Sequence, residues 1–122
     1  MEYSFALDAE FLRVKAWGRD TDRPPLEFCA AVFRESVAGG RLRILIELDQ
    51  LIPLSPSSQY ELIENLPKAG FTSRHSIALV HRTPVAQMAY EFVNVVASNR
   101  DIMVRNFEDV EGAKGWLRTR PA

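Results

Sequence analysis

The sequence predicts one α/β domain with a mostly parallel sheet, and three observations carry that prediction. Stretches with apolar residues at period two alternate along the chain with stretches at helical spacing, the pattern of βαβ units. Serine or threonine followed by proline opens a helical pattern twice, at Ser55-Pro56 and Thr83-Pro84. The length of 122 residues with 47% hydrophobic content suits one domain with one core.

Tyr3 to Leu7 reads as a short strand and Asp8-Ala9-Glu10 as a polar break. Phe11 to Trp17 then alternates. Leu12, Val14 and Ala16 share one face, and Phe11, Arg13, Lys15 and Trp17 the other, as in a strand half-covered by the core. The short break makes the pair an antiparallel hairpin. Gly18 to Arg23 is a polar loop, and Pro24-Pro25 opens a helix, because a first turn tolerates the missing N–H. Leu26, Cys29, Ala30, Phe33 and Val37 recur at helical spacing until Gly39-Gly40 stops the helix. Leu42, Ile44, Ile46 and Leu48 alternate, with Leu45 facing the other way, in a central strand ended by Asp49.

Leu51-Ile52-Pro53-Leu54 is an apolar loop, after which Ser55 caps a helix with Pro56 in its first position. Tyr60, Leu62, Ile63 and Leu66 are its apolar residues, and Pro67 to Gly70 closes it. Ile77-Ala78-Leu79-Val80 is a continuous apolar run, expected of a strand buried on both faces. Thr83-Pro84 leads into Val85, Met88, Ala89, Phe92, Val95 and Val96 at helical spacing. Ile102 to Phe107 is the last strand. Asp109 caps a closing helix with Val110, Ala113 and Leu117 on its inner stripe and Trp116 beside them. The expected order is ββαβαβαβα, a largely parallel sheet with right-handed crossovers and an antiparallel N-terminal hairpin. The domain spans 1–118, and 119–122 form a frayed tail.

The charge balance narrows the function classes. Fifteen basic and 16 acidic residues leave a net charge of −1, so no nucleic-acid partner is expected. No apolar run approaches the ~18 residues of a transmembrane segment, no secretory signal is visible, and a cytoplasmic setting is expected. The single cysteine, Cys29, excludes an internal disulfide, and its place on an apolar stripe reads as a small hydrophobe. His75 and His81 flank the fourth strand about 20 Å apart and cannot share a metal. Gly39-Gly40 ends a helix rather than opening one, so it is no phosphate loop, and no G-x-S-x-G elbow exists. With no nucleophile–base pair, metal set or cofactor loop, the expectation is a non-enzymatic protein without cofactor or metal.

Asp49 to Tyr60 follows the carboxyl end of the central strand, the edge where open α/β sheets place ligands. Ser55, Ser57 and Ser58 lie at a helix start, where free N–H groups and the helix dipole favour an anion or a phosphorylated serine. Leu51, Ile52 and Leu54 offer a partner surface or the wall of an apolar cavity. Arg82 and Thr83 follow the next strand and belong to the same edge, as do Asn106 and Phe107 after them.

The element order, the run His75-Ser76-Ile77-Ala78-Leu79-Val80, and the ending Val104-Arg105-Asn106-Phe107 with Glu111-Gly112-Ala113-Lys114-Gly115-Trp116-Leu117 resemble the SpoIIAA-like proteins of the STAS group. That group, of sulfate transporters and anti-sigma-factor antagonists, is also compared with the SEC14-type lipid-transfer fold. The resemblance implies a regulatory protein-interaction module whose partner is a regulator or kinase of anti-sigma type. It also implies a phosphoacceptor after the central strand, with Ser58 the nearer match and Ser57 beside it. The usual Asp-Ser-Ser/Ala-Gly-Leu pattern is replaced here by Ser57-Ser58-Gln59-Tyr60, lacking the aspartate and the glycine. The SEC14 comparison implies the alternative, a carrier of a small apolar molecule or lipid. Self-association as a homodimer is compatible with either.

Overall fold

The computed structural model describes residues 2–18, 26–50, 64–81 and 103–121. These form five strands and three helices: β1 (Glu2–Leu7), β2 (Leu12–Gly18), α1 (Leu26–Gly39), β3 (Arg43–Gln50), a helical segment over 64–69 (α2), β4 (Ser76–His81), β5 (Met103–Phe107) and α3 (Val110–Arg118). The sheet order is β1-β2-β3-β4-β5, the order of the chain itself. β1 runs antiparallel to β2, and β2 to β5 are mutually parallel. The domain is thus α/β with a mixed sheet, as the alternating periodicities predict. The apolar loop 51–54 and the helix expected after Thr83 lie outside the described residues.

The hairpin forms because Asp8 organises its turn. Its carboxylate accepts from the backbone N–H of Glu10 (2.8 Å) and Phe11 (2.7 Å), and its own N–H donates to the Phe11 carbonyl (3.1 Å). The register then sets Leu7 against Leu12 and Glu2 against Trp17.

Alternation divides the sheet into two faces. On the first, Leu12, Val14 and Ala16 of β2, Ile44, Ile46 and Leu48 of β3, Ile77 and Leu79 of β4 and Val104 of β5 form the larger core with α1 and α2. Phe28, Cys29 and Val32 enter it from α1, and Leu66 from α2. On the second face, Phe11, Leu45, Ala78 and Val80 meet Ala113 and Leu117 of α3. β4 is buried throughout, as its continuous apolar run predicts.

α1 is rotated from the stripe the sequence suggests. Val37 is 62% exposed, whereas Ser36 is buried. The Ser36 hydroxyl donates to the Arg41 carbonyl, so a polar residue can take the inward position one turn after Val32. Both α1 and α2 end in the same motif. Gly40 (φ 64°) donates to Val37 and Arg41 to Ser36; Gly70 (φ 118°) donates to Pro67 and Phe71 to Leu66. These paired bonds satisfy the last carbonyls through a left-handed glycine. α2 therefore runs through Pro67 to residue 69 and ends at Gly70, within the Pro67–Gly70 stretch expected to close it.

α3 begins as predicted, with the Asp109 carboxylate accepting from Gly112 N–H at 2.7 Å. Hydrogen bonds join its far end to β3 and β4. The Arg43 guanidinium donates to the carbonyls of Arg118 and Arg120, and Arg120 in turn donates to the Ser76 hydroxyl. Trp116 is half-buried, its ring 5.7 Å from that of Phe107 and 5.9 Å from the Arg120 guanidinium. Trp116→Ala should therefore lower stability by about 1–2 kcal/mol in urea denaturation, less than a fully buried ring would.

Candidate functional site

The carboxyl ends of the parallel strands carry the polar groups that register brings together. Leu48 pairs with His81, so His81 lies on the first face, while Asp49, one residue on, lies on the second. These two groups are thus separated by the sheet and do not converge on one substrate. Of the edge residues expected from sequence, Asp49 is described, exposed and opposite Trp17. Leu51, Ile52, Leu54, Ser55, Ser57, Ser58, Arg82 and Thr83 lie outside the described residues.

His81 ends β4 and is 1% exposed. Its Nε2 lies 2.8 Å from Oδ1 of Asn106 in β5, so the ring donates there as the Nε2–H tautomer. Sequence places both residues near one edge, but only the β4–β5 register brings them together. Burial holds His81 below the usual imidazole value of 6.5, outweighing the Asn106 bond, which acts the other way. His75, at the opposite end of β4, is lowered first by burial and further by the charge of Arg74. Its ring packs against both Phe33 and Phe71, with centroids 5.8 and 5.0 Å away.

These depressed values have a consequence for pH. A histidine that resists protonation when folded contributes stability that is full above its unfolded value. That contribution is lost as pH falls below 6.5 toward the lower folded values. The urea midpoint should fall between about pH 7.5 and about pH 5.5, and His81→Gln should make the fall shallower. A midpoint that rises on acidification would show that neither ring is buried in its neutral form.

Cys29 is buried at 1% exposure, and desolvation pushes its thiol up to about 12. A thiol so held is no nucleophile at neutral pH. Native protein should leave Cys29 unmodified by a water-soluble disulfide reagent, with full reaction in denaturant; rapid native labelling would contradict the burial.

On the second face, α3 packs against β3 and β4, while Ser4 and Ala6 of β1 and Lys15 and Trp17 of β2 are exposed. Arg13 donates to Glu47 at 3.1 Å and lies 3.9 Å from Asp8. Asp8 is held below its ordinary value: burial, which would raise it, is outweighed by the N–H bonds of Phe11 and Glu10 and the charge of Arg13. Beyond this cluster toward the carboxyl edge stand Lys15, Trp17 and Asp49, all exposed, with Trp17 at 38%. Two hollows among the described residues are open and rimmed by charge. One, of about 400 Å³, is lined by Ser4, Ala6, Asp8, Arg13 and Lys15 among others; the second, of about 170 Å³, by Glu10, Arg41 and Arg43 among others. The described residues contain no cluster of three metal-ligating side chains and no helix long and apolar enough to cross a membrane.

The chain matches no protein-family model, and no curated protein sequence matches it.

Proposed function

We propose that this domain is a non-enzymatic, STAS-like interaction module that binds a protein partner at the carboxyl edge of its sheet. One observation carries the reading: exposed Trp17, one residue before the end of β2, lies directly opposite exposed Asp49, one residue before the end of β3. An indole left in water beside a carboxylate, on a rigid strand pair, supplies the aromatic anchor and the polar neighbour typical of recognition surfaces. Asp49 is followed in sequence by Leu51, Ile52, Leu54, Ser55, Ser57 and Ser58, which the family resemblance makes the partner-binding and phosphoacceptor segment. Phosphorylation of Ser58 would add negative charge close in sequence to Asp49 and weaken a contact made there. The carrier alternative has no comparable observation among the described residues, whose two hollows are open and carry charged side chains at their rims.

The test is capture from a lysate of the source cells with wild type, Trp17→Ala and Ser58→Asp, and identification of what is retained. Wild type should retain a specific partner that Trp17→Ala loses at unchanged melting temperature, with Ser58→Asp weakened. If Trp17→Ala retains everything wild type does, this edge is not the binding surface.

A further inference from the structure

β1 is an edge strand without the usual protection. Glu2-Tyr3-Ser4-Phe5-Ala6-Leu7 contains no lysine, proline, glycine or bulge, the devices that keep an exposed edge from pairing. The Asp8–Phe11 backbone bond fixes which groups are free. Bonded pairs alternate along an antiparallel ladder, so Ala6, Ser4 and Glu2 bond to β2, and the N–H and C=O groups of Tyr3, Phe5 and Leu7 point outward.

We propose that β1 pairs antiparallel with β1 of a second copy of this chain, about a twofold axis through Ser4, joining two sheets into one of ten strands. In this register Tyr3 of each copy exchanges backbone bonds with Phe5 of the other, and Glu2 lies opposite Ala6. The side-chain chemistry on both faces selects it. On the first face Tyr3 and Phe5, each half-buried and 5.6 Å apart within one copy, meet the same pair from the other, giving aromatic neighbours across the seam. On the second face Ala6 pairs with Arg13 and Ser4 with Lys15. The small side chains of Ala6 and Ser4 leave the charged hollow of about 400 Å³ open toward the seam. Glu2 of one copy, set beside Ala6 of the other, reaches that hollow between Arg13 and Lys15. Lys15 makes no ion pair among the described residues, and the Nε of Arg13 is buried without a hydrogen-bond partner. The Asp8 carboxylate at the rim is already engaged by two N–H groups and Arg13. The twofold repeats the contact, so each dimer has two acid–base meetings. One neighbouring register, Phe5 on Phe5, sets Glu2 against Asp8, two like charges, and the other, Tyr3 on Tyr3, overlaps only Glu2 to Ser4 of the strand, so both are disfavoured.

Sedimentation of the intact chain tests this. Wild type should sediment at twice its 13.8 kDa mass at about 100 µM and dissociate on dilution, since one strand pair makes a modest interface. Ser4→Lys puts two added cations face to face at the axis, on a side chain exposed in the single copy, and should weaken association at least about tenfold. Ser4→Cys gives an answer that does not depend on how Ser4→Lys folds. At the axis the two Cα atoms fall about 4.5 Å apart in a non-bonded pair, within disulfide range. Oxidised glutathione should take two electrons from the two thiols and leave a covalent dimer, with buried Cys29 uninvolved. Ala6→Cys, opposite Glu2, should not cross-link to itself. A wild type that stays monomeric at that concentration overturns the proposal. So does a dimer in which Ala6→Cys cross-links and Ser4→Cys does not, which would mean another register or another surface.

Discussion

Replacing Phe11 by alanine should lower stability by about 3–5 kcal/mol, the range for removing a fully buried aromatic ring. Phe11 is 1% exposed and sits where β2 begins, against Leu45, Ala78 and Val80 of the sheet and Ala113 and Leu117 of α3. Among the described residues, Phe11 is the only aromatic ring fully buried in this cluster, so its loss leaves a large gap there. The ring also lies 5.8 Å beneath the Arg118 guanidinium, a contact that alanine removes. Guanidinium denaturation of Phe11→Ala measures the loss directly. A change below about 1 kcal/mol would mean that α3 is not seated on this face.

Gly70→Ala should cost about 2–4 kcal/mol, through two separate mechanisms. Gly70 adopts φ 118°, which an L side chain rarely occupies. A Cβ there would also lie 2.6 Å from the Phe33 ring, and that ring is held by Phe71 and His75 and cannot swing aside freely. Gly39 is the control. A Cβ at Gly39 meets the Leu7 side chain at the same 2.6 Å, but Leu7 is 53% exposed and flexible. Gly39→Ala should therefore change stability by less than about 1 kcal/mol in the same denaturation series. Equal losses at the two positions would refute the distinction drawn from φ and from the rigidity of the neighbour.

How far the sequence could be read depended on whether a signal was local. The Asp109 cap needs only residues within one turn, and the structure has its carboxylate on Gly112 N–H. The burial of β4 needs only a run of apolar residues. Phe11 shows the limit. Alternation groups it with Arg13, Lys15 and Trp17, a row that reads as solvent-facing, and it is buried because α3 returns to cover that end of the row. Val37 and Ser36 fail for a related reason. Which of two adjacent faces of α1 turns inward depends on a hydroxyl finding the Arg41 carbonyl. At the carboxyl edge, Asp49 is legible as the end of a central strand, but its separation from His81 follows from one-residue parity in the β3–β4 register. The pairing of His81 with Asn106, 25 residues apart, depends in the same way on how β4 and β5 align.

Because spatial order equals chain order, no strand has to insert between two already paired. A nascent chain can add β2 to β1, then β3, β4 and β5 in turn, each to an edge already laid down. The first face gains its cover from helices made between those strands. Phe11, Leu45, Ala78 and Val80 wait for α3, which is synthesised after all five strands. Synthesis halted before Val110 would leave all five strands made and this apolar row without its α3 partners Ala113 and Leu117, and that species is the one a chaperone or protease would meet.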